Sequence, residues 1–111
     1  MKLVIYVMTQ TKVLEEFLSE LNANGVKGAT IISATGMART LAKNDDLHMF
    51  GSLKYLFDNQ RAESNVILIA LPDEQVKTVY KVIDNVCGNL EKPDSGIVFT
   101  VPIEDIVGLK L

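Results

Sequence analysis

The amino-acid sequence predicts an α+β fold with four strands and two helices in the order βαββαβ. Four short β-branched apolar runs are the first observation, and strands are expected at residues 3–8, 27–35, 65–71 and 96–101. The second observation is helical spacing of apolar residues after the first and third runs. Two right-handed βαβ halves give a four-stranded antiparallel sheet with both helices on one face, a ferredoxin-like sandwich. We expect residues 1–111 to form a single domain.

Each helical segment has its own start and stop signals. Thr11 is expected to cap the first helix, and Gly25 suits the position just past its end. Pro72 and the two acidic residues after it suit the start of the second helix, which Gly88 ends. The apolar stripes are Leu14, Phe17, Leu18 and Leu21 in the first helix, and Val76, Val79, Tyr80, Ile83, Val86 and Cys87 in the second.

The predicted strands are apolar on both faces of the sheet. We expect Val4, Tyr6 and Met8 to share one face with Val66 and Leu68, and their sequence neighbours to form the other. Two helices are enough to cover only one of these faces. The second apolar face is therefore expected to be covered by other copies of the chain, which predicts an obligate homo-oligomer.

Residues 36–63 form a long insertion between the second and third strands. A tight hairpin of about two to five residues would be enough to join those strands. Loops this long in compact domains are usually functional or disordered. We interpret the insertion as a flexible arm that contacts a partner protein. The apolar residues expected to make that contact are Leu47, Met49, Phe50 and Tyr55.

Composition limits the class of protein. The net charge of −3 and the pI of about 5.0 argue against binding to nucleic acid, which needs clustered basic residues. No apolar stretch reaches the roughly 18 residues of a membrane span, and the first residues lack the cleavage flank of a signal peptide. Cys87 is the single cysteine, so no intrachain disulfide can form. A reducing cytoplasm is the expected location.

No arrangement of residues in the sequence predicts catalysis. His48, the one histidine, has no His or Cys at a metal-binding spacing and is expected to be a solvated loop residue. Cys87 lies on an apolar helical stripe and is expected to be a buried structural thiol. Adjacent acidic residues do not face each other, so they make a poor acid–base pair. We predict a binding protein without a cofactor or metal, not an enzyme.

Four segments carry a resemblance to one known family. The chain opens with Met-Lys-Leu-Val at residues 1–4. Residues 25–30 read Gly-Val-Lys-Gly-Ala-Thr, and residues 35–39 read Thr-Gly-Met-Ala-Arg where the insertion begins. Residues 96–106 combine a glycine, a short strand with Phe99, a proline and an acidic end. These segments resemble the PII signalling proteins, and the resemblance covers nearly the whole chain. The insertion at residues 36–63 then corresponds to the T-loop of that family.

The resemblance implies a homotrimer that binds an adenine nucleotide in the clefts between subunits. The state of the ligand would rearrange the T-loop and so select a protein partner, such as a transporter or an enzyme. The candidate ligand-binding residues are Thr30, Gly36, Met37, Ala38, Arg39, Lys92, Gly96 and Lys110. Gly36 is also expected to supply a positive φ at the end of the second strand.

The sequence differs from the family at positions that hold ATP phosphates. The lysine before the last strand corresponds to Ile97, and the two arginines after the proline correspond to Gly108 and Lys110. Each charge-assisted phosphate contact contributes roughly 1.5–3 kcal/mol. A less charged nucleotide, a different small anion or no nucleotide therefore remain open, with Lys92 and Lys110 as candidate replacement cations.

Two other hypotheses come from different classes of protein. A trimeric metal-binding protein of the CutA type shares the fold, and its metal affinity would involve His48, Met37 or Met49. A small enzyme that acts on a phosphorylated metabolite at the subunit cleft is the other, although no residue is an obvious base or nucleophile.

Overall fold

The computed structural model describes residues 1–37, 41, 64–88, 90–91 and 95–109. The elements are β1 (Lys2–Met8), α1 (Leu14–Ala23), β2 (Thr30–Ala34), β3 (Ser64–Leu71), α2 (Val76–Cys87) and β4 (Ile97–Pro102). The strands form one sheet in the order β2-β3-β1-β4, and every neighbouring pair is antiparallel. The predicted α+β fold of four antiparallel strands and two helices is confirmed. No helix in the described part of the chain is long and apolar enough to cross a membrane.

Both helices begin later than the sequence predicted. A turn of 3-10 helix precedes each one, at Thr11–Val13 and at Asp73–Gln75. The expectation that Thr11 caps α1 is wrong, because Thr11 lies inside the first of these turns. The residue that precedes α1 is Val13, whose side chain has no hydrogen-bond acceptor. The chain enters both helices through tightened turns instead of side-chain caps.

The end of α1 is closed by backbone hydrogen bonds, as the predicted role of Gly25 requires. Gly25 has a φ of +90°, which a residue with a side chain adopts only with strain. The Val26 amide donates to the Leu21 carbonyl at 2.9 Å, and the Gly25 amide donates to the Asn22 carbonyl at 3.1 Å. This bond pattern is a Schellman motif, and it includes an apolar pair, because Val26 and Leu21 are both buried. The motif fixes the direction in which residues 26–30 approach the sheet.

The core lies between the two helices and one face of the sheet. Tyr6 stands opposite Ile67, and Val4 stands opposite Ile69, in the pairing of β1 with β3. Residues directly opposite each other share a face. The predicted grouping of Tyr6 with Val66 and Leu68 is therefore wrong by one residue in β3, and the same holds in β2 for Ile32 and Ala34, which the sequence placed on the face of Tyr6. The buried apolar residues are Val4, Tyr6, Met8, Phe17, Leu21, Val26, Ile67, Ile69, Leu71, Val79, Val82, Ile83 and Cys87.

The apolar stripe of α2 also differs from the prediction at one position. Val82 is buried, whereas Tyr80 is 37% exposed. The Tyr80 hydroxyl lies 2.8 Å from the Thr100 hydroxyl and forms a hydrogen bond with it. A tyrosine can cover apolar surface with its ring while its hydroxyl stays in a polar environment. Tyr80 therefore joins α2 to β4 at the margin of the core and does not lie inside it.

The centre of the core contains a polar atom. The Tyr6 ring packs edge-on against Phe17, with ring centroids 5.4 Å apart. Within the described residues, the buried Tyr6 hydroxyl has no well-formed hydrogen bond. Burial raises the pKa of Tyr6 well above its usual range, and the neighbouring Cys87 thiol adds to the rise. Burial also raises the pKa of the Cys87 thiol.

Replacing Tyr6 by Phe is expected to leave the free energy of unfolding at pH 7 unchanged or to increase it. A buried polar group without a well-formed hydrogen bond costs about 1–3 kcal/mol, and the substitution removes it. The pKa of Tyr6 is higher in the folded state than in the unfolded state, where it is about 10. Above pH 10 the unfolded chain therefore loses the Tyr6 proton while the folded chain keeps it, so the free energy of unfolding of the wild type falls as the pH rises. Guanidinium titrations should show the advantage of Tyr6→Phe growing by about 1.4 kcal/mol per pH unit above pH 10. An advantage that stays constant with pH would contradict this assignment.

The other face of the sheet is apolar but is not covered by the described residues. Ile97 is 57% exposed and Phe99 is 43% exposed, although both belong to a strand. The open face, as we call it, consists of Leu3, Ile5, Val7, Ile32, Ala34, Val66, Leu68, Ala70, Ile97, Phe99 and Val101. The expectation that both faces of the sheet are apolar is therefore confirmed.

Candidate functional site

A pocket of about 530 Å³ lies where β2 begins and β3 ends. Its volume is within the range of small-molecule sites. Thr30 pairs with Leu68, so Thr30 shares a face with Leu68 and Ala70, and that face is the open face. The pocket is therefore open on the side of the uncovered apolar surface. Its lining consists of Gly25, Val26, Lys27, Gly28, Ala29, Thr30, Ala70, Gln75 and Leu109.

The shape of the pocket follows from local backbone structure. The Schellman motif at Gly25 turns the chain, so that residues 26–29 run beside the sheet before β2 begins at Thr30. Gly28 has open space where a side chain would be, and Ala29 and Ala70 are small. Three small residues at the meeting point of two strands leave room that larger side chains would fill. The predicted strand at residues 27–35 is shorter in the structure, where β2 is Thr30–Ala34 and residues 27–29 line this pocket.

Three side chains bring polar atoms to the pocket wall. The Lys27 ammonium donates to the backbone oxygen and to the side-chain oxygen of Asn22, both at 3.3 Å. Within the described residues, no hydrogen bond engages the Thr30 hydroxyl or the Gln75 carboxamide. Among the lining residues that the structure describes, the pocket therefore presents two neutral hydrogen-bonding side chains, and the Lys27 ammonium is already bound to the end of α1.

Contacts of Met1 hold the two segments that supply Gln75 and Leu109 to the pocket. The Met1 ammonium lies 3.0 Å from an Asp73 carboxylate oxygen, and the pair holds the pKa of Asp73 below its usual range. The Ile103 amide donates to the Met1 carbonyl at 3.2 Å. Asp73 begins the 3-10 turn that ends at Gln75, and Ile103 begins the tail that leads to Leu109. The first residue of the chain thus ties together the two segments that supply Gln75 and Leu109.

The structure does not bring the predicted ligand residues together within one chain. Thr30 is in the pocket, in a row that runs through Leu68 and Ile5 to Phe99 on the opposite edge strand. Three strand spacings of about 4.8 Å separate the ends of that row by roughly 14 Å. Gly96 comes three residues before Phe99 in the chain, which places it about 10 Å further away along the strand direction, at right angles to that row. Thr30 and Gly96 therefore lie at opposite edges of the sheet.

Gly96 has a backbone conformation that only glycine tolerates well. Its φ is +108°, and an added Cβ would lie 2.5 Å from the Val7 carbonyl oxygen. The absence of a side chain lets the chain pass close to the end of β1 before β4 begins.

Gly36 and Met37 lie just beyond the end of β2, at the same end of the sheet as Gly96. The expectation that Gly36 supplies a positive φ is wrong, because its φ is outside the left-handed region. Gly36 continues β2 toward the insertion without a left-handed turn.

Several predicted residues lie outside the described residues. They are Ala38, Arg39, Lys92 and Lys110 among the ligand candidates, and Leu47, Met49, Phe50 and Tyr55 in the arm. Their roles stay predictions.

Sequence reasoning missed Gln75, Ala70 and Leu109 as lining residues. Gln75 falls between the acidic helix start and the apolar stripe of α2, so no periodic pattern marks it. Ala70 reads as one more apolar strand residue. Only the fold shows that both border the turn after α1.

The described residues contain no group of three or more His, Cys, Asp or Glu side chains able to hold a metal ion. The metal-binding hypothesis depends on His48 and Met49, which lie outside the described residues, and on Met37, which is exposed.

A comparison with protein families gives one full-length match. The model of the nitrogen regulatory protein P-II family matches residues 1–111. No curated protein matches the chain.

Proposed function

Because the chain belongs to the nitrogen regulatory protein P-II family, whose members are regulatory proteins, we propose that it senses a small effector in clefts between the subunits of a homotrimer. The effector we propose is an adenine nucleotide. The observation that supports this most is a pocket that opens onto an uncovered apolar sheet face.

The open face supports the proposed association. Exposed Ile97, Phe99 and Val101 adjoin the partly buried apolar residues of β1 and β3, so the apolar surface is continuous across the sheet. Large contiguous apolar surfaces in water mark association sites. A second copy placed on the open face would remove this surface from water. It would also cover the mouth of the pocket at Thr30 and Ala70.

The positions of the predicted ligand residues support a site shared between subunits. Thr30 begins one edge strand and Gly96 comes just before the other, so a small molecule cannot touch both in one chain. In a closed ring each subunit presents one edge to its neighbour, so that the β2 edge of one subunit can meet the β4 edge of the next. The pocket at Thr30 would then hold one part of the ligand, and the segment before β4 would hold another.

The chemistry of the pocket suits the base of a nucleotide better than its phosphates. The wall is formed by small or apolar residues and two neutral hydrogen-bonding side chains, Thr30 and Gln75. Lys27 is already bound to Asn22. A planar ring fits such a surface, whereas phosphates need cations and backbone amides. We assign the phosphates to the neighbour's glycine segment at Gly96, with Lys92, Lys110 and Arg39 as the proposed cations.

The insertion at residues 36–63 is the segment that we propose contacts the partner protein. It begins where β2 ends, at Gly36 and Met37. A ligand bound at its base shifts the population of its conformations by the difference in affinity for them. The proposed partner is a cytoplasmic or membrane-associated protein, such as an enzyme or a transporter, that contacts Leu47, Met49, Phe50 and Tyr55.

Thermal denaturation with a panel of ATP, ADP, AMP and cyclic dinucleotides tests this function. The melting temperature of the wild type should rise with at least one adenine nucleotide, because a ligand that binds only the folded state stabilises it. Thr30→Val keeps the side-chain shape but removes the hydroxyl, so it should weaken binding about tenfold. Ser33→Ala is the matched control, since Ser33 is on β2 but outside the pocket. If no member of the panel changes the melting temperature, the proposed function is wrong.

A further inference from the structure

We infer that Gln75 is the specificity-determining residue of the pocket and that its carboxamide reads the hydrogen-bonding edge of the bound base. This inference rests on the proposed function and deepens it. The side chain lines the pocket together with Gly28 and Thr30, and its nitrogen lies 4.0 Å from the position that a Cβ on Gly25 would occupy.

The backbone holds Gln75 at a fixed place. Gln75 is the last residue of the 3-10 turn and the residue just before α2, and its amide donates to the Pro72 carbonyl at 3.0 Å. The same turn begins at Asp73, which is paired with the Met1 ammonium at 3.0 Å. Gln75 itself is partly buried. A hydrogen-bonding group on a turn held from both ends discriminates better than one on a free loop, because it loses less entropy when it binds.

The other polar side chains that the structure describes at the pocket cannot supply this recognition. The Lys27 ammonium donates only, and Asn22 already accepts from it twice. The Thr30 hydroxyl offers a single atom. A carboxamide offers a donor and an acceptor side by side. Among the described lining side chains, Gln75 therefore has the one group that can form two parallel hydrogen bonds with a heterocycle.

The chemical group at position 75 sets the ratio of the affinities for the two purine bases, because each base presents a different row of donors and acceptors. The adenine edge places an amino donor next to a ring-nitrogen acceptor, which matches the acceptor and donor of a carboxamide. The guanine edge presents a carbonyl acceptor, a ring N–H donor and an amino donor in a row. A carboxamide can pair with the first two, whereas a carboxylate, which only accepts, pairs with the two donors and has no match on adenine. Bidentate pairs of this kind discriminate between bases by about 1–3 kcal/mol, or roughly 10-fold to 100-fold.

The test measures the affinities of wild type, Gln75→Leu and Gln75→Glu for AMP and GMP by isothermal titration calorimetry. Gln75→Leu should weaken AMP binding about 10-fold or more. Gln75→Glu should lower the ratio of AMP affinity to GMP affinity by roughly 10-fold to 100-fold. The ratio cancels the repulsion between a new carboxylate and the phosphate, because both ligands carry the same phosphate. Glu74→Gln is the matched control, since Glu74 is exposed, adjacent and outside the pocket. It should leave the ratio unchanged.

The outcomes separate this inference from the function on which it rests. If the wild type binds AMP and Gln75→Glu keeps the wild-type ratio, the assignment of Gln75 is overturned while the proposed function stands. If the wild type binds neither AMP nor GMP, the assignment of Gln75 is overturned, and the proposed function fails with it when no member of the nucleotide panel shifts the melting temperature. Circular dichroism of each variant shows whether it is folded, and Gln75→Glu and Gln75→Leu test the same contact independently.

Discussion

Replacing Phe99 by Asp is expected to dissociate the proposed trimer into single chains. Phe99 is 43% exposed at the middle of β4 and stands opposite Ile5, so it projects from the open face. Burying a Phe side chain contributes about 1.5–3 kcal/mol, which the substitution removes. An unpaired carboxylate in an apolar interface costs several kcal/mol more. The penalty is repeated in every subunit of a symmetric ring.

Sedimentation equilibrium at micromolar concentration measures this effect. The matched control is Tyr80→Asp, because Tyr80 is an aromatic residue of similar exposure, 37%, on the helical side of the molecule. Tyr80→Asp loses the hydrogen bond to Thr100 but should keep the mass of the wild type. If Phe99→Asp keeps that mass as well, the open face is not the interface.

Replacing Gly96 by Ala is expected to lower the free energy of unfolding by about 3 kcal/mol. The φ of +108° strains any residue with a side chain, at a cost of about 1–3 kcal/mol. The added Cβ would also lie 2.5 Å from the Val7 carbonyl oxygen. That oxygen belongs to β1, a central strand, so the clash can be removed only by moving the backbone. This movement adds a cost of similar size. The substitution should also weaken ligand binding, because Gly96 is part of the proposed phosphate region.

Two other glycines separate these causes in urea denaturation. Gly108 has a φ of +97° but open space at its Cβ position, so Gly108→Ala should cost only about 1 kcal/mol. Gly28 has neither a positive φ nor a close neighbour, so Gly28→Ala should leave stability unchanged or raise it by up to about 1 kcal/mol. Equal losses for Gly96→Ala and Gly108→Ala would show that the close approach to Val7 does not matter.

Element order could be predicted from the sequence because each element carries its own local signal. Gly25 illustrates this, since a glycine after an apolar helical stripe marks a helix end, and the structure has a Schellman motif there. Which side chains of β3 point into the core could not be predicted in the same way. Val66 to Ala70 are all apolar, so either phase fits the pattern. Only the register against β1, with Tyr6 opposite Ile67, determines which residues enter the core.

The candidate site shows the same limit. Thr30 could be proposed because it ends a glycine-containing segment that resembles a known family, and it does line the pocket. Gln75 comes from a distant part of the chain and belongs to no motif. Its place beside Gly25 depends on how α2 packs against α1, which is a tertiary effect. The same is true of Leu109, which reaches the pocket only because the tail is tied to Met1 through Ile103.

The molar mass of the wild-type protein at micromolar concentration, measured by sedimentation equilibrium, tests the central claim most directly. Association over the open face predicts a single species with three times the 12.2 kDa mass of the chain. A stable species with the mass of one chain would contradict it, because the apolar face would then tolerate water and the pocket at Thr30 would have no neighbour to complete it.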